Sequence, residues 1–161
     1  MRKLAPWYAL ALLVVVLDQL SKHWVSSSFS YGEARACTGF FNLVLTYNKG
    51  AAFSFLAAAA GWQRGFFIII ALLAIIVIGV LLARHAGEKL FCFSLALILG
   101  GATGYVLDRI LLGYVVDFLD FHVAGWHWPA FNLADSAITL GAVLLVADSL
   151  FPRTRRAKAA Q

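Results

Sequence analysis

The chain has 161 residues, of which 62% are hydrophobic and 13% charged, with a net charge of +5. A soluble domain of this length could not hide so much apolar surface from water, so the soluble globular classes are excluded and lipid takes the place of a core. The positive charge calls for no nucleic acid, because its placement follows membrane topology and attraction to anionic lipid.

In chain order, Leu4 to Leu17 is an uncharged run that stays apolar to Val25 apart from Asp18, Gln19, Ser21 and Lys22. It predicts a span over about residues 4–25. Arg2-Lys3 ahead of an apolar run also describes a secretory leader, and Ala34-Arg35-Ala36 resembles a cleavage site. Asp18 and Lys22 intervene, however, and that site lies far beyond the apolar run, which favours a retained helix. An outer segment over about 37–58 follows. Within it Phe40 to Tyr47 is aromatic and β-branched, Asn48-Lys49-Gly50 is a turn signal, and Ala51 to Leu56 completes a small extended or hairpin element. The uncharged runs Phe66–Ala83 and Leu90–Leu107 predict spans over about 64–83 and 90–108, joined by the short connector Arg84 to Lys89. The second outer segment, Arg109 to Trp128, holds the strand-like Tyr114 to Phe118. A fourth span is predicted over about 129–150, followed by a basic tail, 152–161. The chain therefore reads as one membrane-embedded domain, mainly α, with four transmembrane helices and a small outer β-element.

Orientation follows the basic residues. With the amino terminus cytoplasmic, Arg2, Lys3, Arg84, Lys89, Arg153, Arg155, Arg156 and Lys158 share one side, and Lys22, Arg35, Lys49, Arg64 and Arg109 fall on the other. The bias agrees with both termini inside. Trp62, Trp126 and Trp128 fall where an outer aromatic belt belongs, and Trp7 where an inner one does. Cys37 and Cys92 have no metal-ligand spacing around them and read as free thiols.

Ionisable groups inside a membrane are costly and usually functional, so each acid is given a depth. Asp18 lies about 21 Å along the first helix, near the outer leaflet. Asp108 ends the third span on its outer side, and Asp117 lies in the outer segment. Asp135, six residues into the predicted fourth span, sits about 9 Å below its outer end. Asp148 is about 20 Å further down and does not join them. Asp18 and Lys22 are spaced to neutralise one another on one helical turn. Asp108 adjoins Arg109, so both acids read as structural or positioning groups. Asp135 has no basic residue within a turn and shares a polar stripe with Asn132, Ser136 and Thr139, which must face a bundle interior or a wet cavity. Asp117, among valines and Phe118, is its natural partner. Two carboxylates close together in a poorly solvated place share a proton, as an aspartyl protease requires.

Asp120 is a local rival to Asp117. Acids that merely tie helices together, or a proton or ion pathway, remain open beside hydrolysis on these residues alone. No Ser-His, Cys-His, phosphate-loop or zinc spacing offers another chemistry. His23, His85, His122 and His127 are scattered and read as interfacial.

At these residues the chain resembles the lipoprotein signal peptidase, or signal peptidase II, family over nearly its whole length. The matching pieces are Leu17-Asp18-Gln19-Leu20-Ser21-Lys22, Tyr47-Asn48-Lys49-Gly50-Ala51-Ala52-Phe53-Ser54, Gly100-Gly101-Ala102 with Asp108-Arg109, Val115-Val116-Asp117-Phe118, and Phe131-Asn132-Leu133-Ala134-Asp135-Ser136. The resemblance implies that Asp117 and Asp135 are the catalytic pair of an aspartic endopeptidase. Asp18, Lys22, Asn48, Gly50, Asp108, Arg109, Asn132 and Ser136 would bind substrate or support the site. It implies cleavage of signal peptides from diacylglyceryl-modified prolipoproteins, just before the lipidated cysteine, with no metal or organic cofactor. The partners implied are that lipidated substrate and membrane lipid, the state a monomer, and the location a bacterial inner membrane with the site near the outer face. The outer segment would form a β-cradle on the membrane surface. A catalytically silent lipopeptide-binding relative and a small proton-coupled transporter are the alternatives. One position departs from the family pattern: Tyr105 stands three residues before Asp108-Arg109, where the family carries an asparagine. Its phenol either supplies a hydroxyl in place of the amide or crowds the cleft.

Overall fold

The computed structural model describes residues 3–50 and 61–150. Helices α1 (Ala5–Ser28), α2 (Trp62–Arg84), α3 (Lys89–Leu111) and α4 (Leu133–Leu150) are each long and apolar enough to cross a membrane. Strands β1 (Ala34–Ala36), β2 (Phe41–Asn48), β3 (Val115–Val123) and β4 (Trp126–His127) form one antiparallel sheet in the order β1-β2-β3-β4.

The helices are inside-out by the standards of a soluble protein. Leu12, Leu13 and Leu20 on α1, Ile69, Leu73 and Ile76 on α2, and Leu140, Val143 and Val146 on α4 are exposed. Such faces are satisfied by hydrocarbon. α3 is the exception. It packs against all three other helices and is buried along most of its length. Small residues let it do so. A methyl group placed on Gly101 would lie 2.6 Å from the Ala134 carbonyl oxygen of α4, and one on Gly104 would lie 2.6 Å from Asp18 Oδ2 of α1. Neither position has room for a side chain.

Three apolar clusters of described residues hold the parts together, and the third of them, Val14, Leu97 and Ala137, joins α1, α3 and α4. Ala11, Ile78, Leu82, Cys92, Leu95 and Leu99 join α1, α2 and α3. Val25 and Phe29, at the end of α1, pack against Leu45, Val116 and Phe118 of the sheet. The second cluster fixes the sheet to the helical body at the end of α1, about two turns beyond its one acid, Asp18.

Several boundaries differ from those predicted. α4 starts at Leu133, not near residue 129. Phe131 instead takes a strand-like bridge, donating its N–H to the Leu119 carbonyl at 3.1 Å and accepting the Leu119 N–H at 2.8 Å. α3 continues to Leu111, which puts Arg109 inside the helix rather than at the start of a loop. Arg64 of α2 explains the extension by donating to the Arg109 and Ile110 carbonyls at 2.8 and 2.9 Å, satisfying two C-terminal orphans. α1 runs on to Ser28. Ala51 to Leu56, the second half of the outer element, and the basic tail 152–161 lie outside the described residues.

Candidate active site

The site is built around Asn132. Its backbone N–H donates to Asp135 Oδ2 at 3.0 Å, and its Oδ1 accepts the Asp135 N–H at 3.0 Å, a reciprocal pair that starts α4. Its Nδ2 donates to Asp117 Oδ1 at 2.7 Å and to the Val116 carbonyl at 3.2 Å. One fully buried asparagine thus grips both acids and the strand that carries one of them. The polar stripe on the fourth helix is therefore partly a helix start. Asp135 lies in the first turn of α4, about 3 Å from Leu133 along the axis rather than 9 Å below the outer end. Unpaired N–H groups and the helix dipole favour negative charge there.

Asp117 is presented by β3. Between the Leu43–Leu119 and Thr46–Asp117 pairs, β2 carries one residue more than β3. Such a bulge bends the strand pair and re-aims its side chains. On the far side of β3, the Phe118 and Leu119 N–H groups both donate to the Phe131 carbonyl, at 3.0 and 2.8 Å. That pairing brings Asn132 within reach of Asp117. Asp117 is buried. Burial first, and the negative charge of Asp135 second, push its carboxyl up to about 7, against hydrogen bonds from Asn132 and Asn48 and the charge of Lys22.

Behind the pair lies a buried ionic knot. Lys22 of α1 stands 2.7 Å from Asp18 Oδ2 and 2.7 Å from Asp108 Oδ2, and the three side chains are almost wholly buried. Gln19, which the sequence reading passed over, donates to Asp108 Oδ1 at 2.8 Å. Asp18 Oδ1 accepts the Ala134 N–H of α4 at 3.0 Å, so an acid of the first helix caps the fourth. The sequence pairing of Asp108 with Arg109 is replaced by this triad. The two side chains leave α3 in different directions, as consecutive helical residues must.

Arg109 turns instead to the outer segment. It donates to the Lys49 carbonyl at 3.4 Å and to the Gly50 carbonyl, with its guanidinium 4.6 Å from the centre of the Phe67 ring. Asn48 Oδ1 accepts the Gly50 N–H at 2.9 Å, which closes the turn. The Ser136 hydroxyl donates back to the Asn132 carbonyl at 3.0 Å. Asp120, the rival of Asp117, points elsewhere. It pairs with Asn42 at 2.8 Å and His127 at 2.9 Å on the sheet. Although partial burial opposes ionisation, these bonds hold its carboxyl below the usual carboxylate value.

Tyr105, for which the sequence left open a supplied hydroxyl or a crowded cleft, reaches Asp135. Its hydroxyl donates to Asp135 Oδ1, and Lys22 Nζ lies 5.6 Å from the centre of its ring. Its spacing of three and four residues before Asp108 and Arg109 was the available signal. Arg64 carried no comparable signal.

Asp117, Asp135, Tyr105, Arg109 and Asn48 line one cleft of about 1060 Å³ among the described residues. Its walls become apolar along α4, through Ile138 and Leu140 to Val143, about 12 Å beyond Asp135, and Phe67, Ile70 and Ala71 of α2 face them. Among the described residues no cluster of three or more His, Cys, Asp or Glu could hold a metal ion.

Four apolar helices and two carboxylates joined through one asparagine at the polar end of an apolar cleft are the arrangement of a membrane protein with a candidate hydrolytic site. Comparison with known proteins narrows this further. The model of the family Peptidase_A8, signal peptidase (SPase) II, matches residues 10–151. Lipoprotein signal peptidase of Paraburkholderia phytofirmans is 62% identical over 147 residues, covering 91% of this chain and 86% of that one. The enzyme of the same name from Ralstonia nicotianae is 61% identical over 151 residues, covering 94% and 87%. A solved bacterial membrane enzyme at 2.3 Å resolution superposes with a TM-score of 0.84 at 29% identity, covering 94% of this chain and 91% of its own. The chain belongs to the signal peptidase II family. It is a protease of lipoprotein maturation, which sets the transporter reading aside.

Proposed function

We propose that Asp117 and Asp135 are the catalytic pair with which this chain cuts the signal peptide from diacylglyceryl-modified prolipoproteins, just before the lipidated cysteine. The observation that carries the reading is the joining of two carboxylates through Asn132 at the mouth of an apolar cleft. An acid pushed to about 7 beside a second acid is the pairing that lets one proton be shared near neutral pH.

The chemistry is the hydrolysis of one amide. The ionised carboxylate takes a proton from water, and the water oxygen bonds to the scissile carbonyl carbon while the other acid protonates the carbonyl oxygen. The resulting diol returns a proton to the second acid as the first protonates the leaving nitrogen and the C–N bond breaks. A peptide acid and a free cysteine amine leave, and the pair regains its starting protonation.

The apolar walls beyond Asp135 suit the acyl chains of the substrate, and the polar mouth suits its peptide. Arg109, Asn48 and Gly50 hold the turn over that mouth, and the Asp18–Lys22–Asp108 knot fixes the start of α4. Both termini on the cytoplasmic side, with the sheet and cleft mouth at the outer face of the inner membrane, follow from the distribution of basic residues. Every group in this reading comes from one chain, in keeping with a monomer. The test is cleavage of a lipid-modified prolipoprotein by purified protein in detergent. Asp117→Asn and Asp135→Asn should each lower kcat by roughly 10³-fold or more while lipopeptide still binds. Full activity in either variant would remove that acid from the reaction.

A further inference from the structure

Tyr105 stands in the reaction cleft, at the outer end of α3, and touches one acid of the pair. We propose that Tyr105 is a positioning residue acting through Asp135: its phenol fixes that carboxylate as the acceptor, and hence as the member of the pair that activates water. The inference rests on the assignment of Asp117 and Asp135 as the reacting acids.

Three observations carry it. First, both oxygens of Asp135 accept. Oδ1 takes the Tyr105 hydroxyl, and Oδ2 takes the Asn132 N–H at 3.0 Å. A carboxyl whose two oxygens both accept is satisfied as a carboxylate, with no proton of its own to place. Second, the two donors come from different elements, α3 and the residue that starts α4. The carboxylate plane is therefore fixed by two independent anchors rather than by its own χ angles. Third, the ring is itself held. Lys22 Nζ lies 5.6 Å from its centre, and Lys22 is tied at 2.7 Å to both Asp18 and Asp108. The ionic knot reaches the reacting acids through this ring as well as through the cap on α4.

The division of labour follows. Asp135, with both oxygens engaged by donors, takes the proton from water. Asp117, gripped by the Asn132 amide at 2.7 Å, protonates the carbonyl oxygen. The phenol loses no proton in either step. It keeps the base turned towards its partner while substrate enters and leaves.

The test compares Tyr105→Phe, which removes only the hydroxyl, with the unchanged protein on a lipid-modified prolipoprotein. The expected result is a kcat lowered about 10- to 100-fold, as loss of one hydrogen bond to a charged group implies, with KM within about twofold. A second readout does not depend on turnover. In thermal melts in detergent, the Tm losses of Tyr105→Phe and Asp135→Asn should fail to add in the double variant, whereas Tyr105→Phe and Asp117→Asn should add more nearly. A Tyr105→Phe protein with unchanged kcat, or Tm losses additive with Asp135→Asn, would overturn the proposal. So would a Tyr105→Ala protein faster than the unchanged one, since that outcome means the ring only crowds the cleft. Failure of the acid-pair reading would look different: Asp117→Asn or Asp135→Asn would itself keep cleaving.

Discussion

At the residue scale the site is a problem of placing negative charge where water is scarce. Asp117, Asp135, Asp18 and Asp108 come from four elements, and Lys22 is the cation tied directly to two of them. Different partners keep the four from repelling the helices apart. Asp18 and Asp108 share Lys22, Asp135 uses the start of α4, and Asp117 is pushed up to about 7 by burial and by its acidic neighbour. The sign of the resulting pH dependence is fixed. In the proposed reaction the pair gives up its shared proton as pH rises above about 7, so kcat should fall as pH rises through neutrality. A pH–rate profile that stays flat well above neutral pH would show that the shared proton is not held there. Removing Lys22 has a sharper outcome. Lys22→Ala leaves Asp18 and Asp108 buried without their counter-charge, at a cost of about 3–5 kcal/mol, and should appear as a large drop in Tm in detergent. An unchanged Tm would mean that water reaches the knot.

At the scale of elements, α3 decides the architecture. α1, α2 and α4 each present an exposed apolar face, whereas α3 is enclosed by the other three. Close approach at Gly101 and Gly104 sets how near α4 and α1 come, and so how near Asp135 and Asp18 stand to α3. Gly104→Ala would place a methyl 2.6 Å from Asp18 Oδ2. The expected result is a loss of about 1–3 kcal/mol, read as a lower Tm in detergent, with cleavage reduced as the cap on α4 shifts. If Tm and rate both hold, the helices have more freedom than their packing indicates. The sheet does comparable work on the other side. The bulge in β2 and the Phe131 bridge on β3 together aim Asp117, so the strand pair is part of the site rather than a cover over it.

At the scale of the whole molecule, an apolar cleft opens beneath a polar mouth, and the sheet flanks that mouth. This arrangement suits a substrate that is lipid at one end and peptide at the other. The proposed topology makes a direct prediction. Cys37 is exposed beside the sheet and Cys92 is buried within α3. A membrane-impermeant maleimide added to intact spheroplasts should label the protein at Cys37, and Cys37→Ser should abolish that labelling. Labelling only after the membrane is opened would reverse the proposed orientation.

The sequence alone determined that the chain is suited to lipid and carries four apolar runs long enough to cross it, and it raised Asp117 and Asp135 as candidate acids, with Asp120 open beside Asp117 on the residues alone. Those conclusions depend on hydropathy, on length and on the cost of charge in hydrocarbon, which are all local properties. The sequence also held the triad in outline, since Asp18 and Lys22 meet within one turn. It did not reveal that Asp108 completes the triad, because adjacency to Arg109 along the chain is not adjacency in space. Nor did it reveal that residues 129–132 leave the fourth helix to bridge β3, because the bridge depends on Leu119, which is distant in sequence. Only the tertiary structure set the depth of Asp135, moved Arg109 into a helix, and brought the Tyr105 hydroxyl to Asp135. In each case the deciding partner lies on another element, and hydropathy and spacing along one chain carry no information about which elements meet.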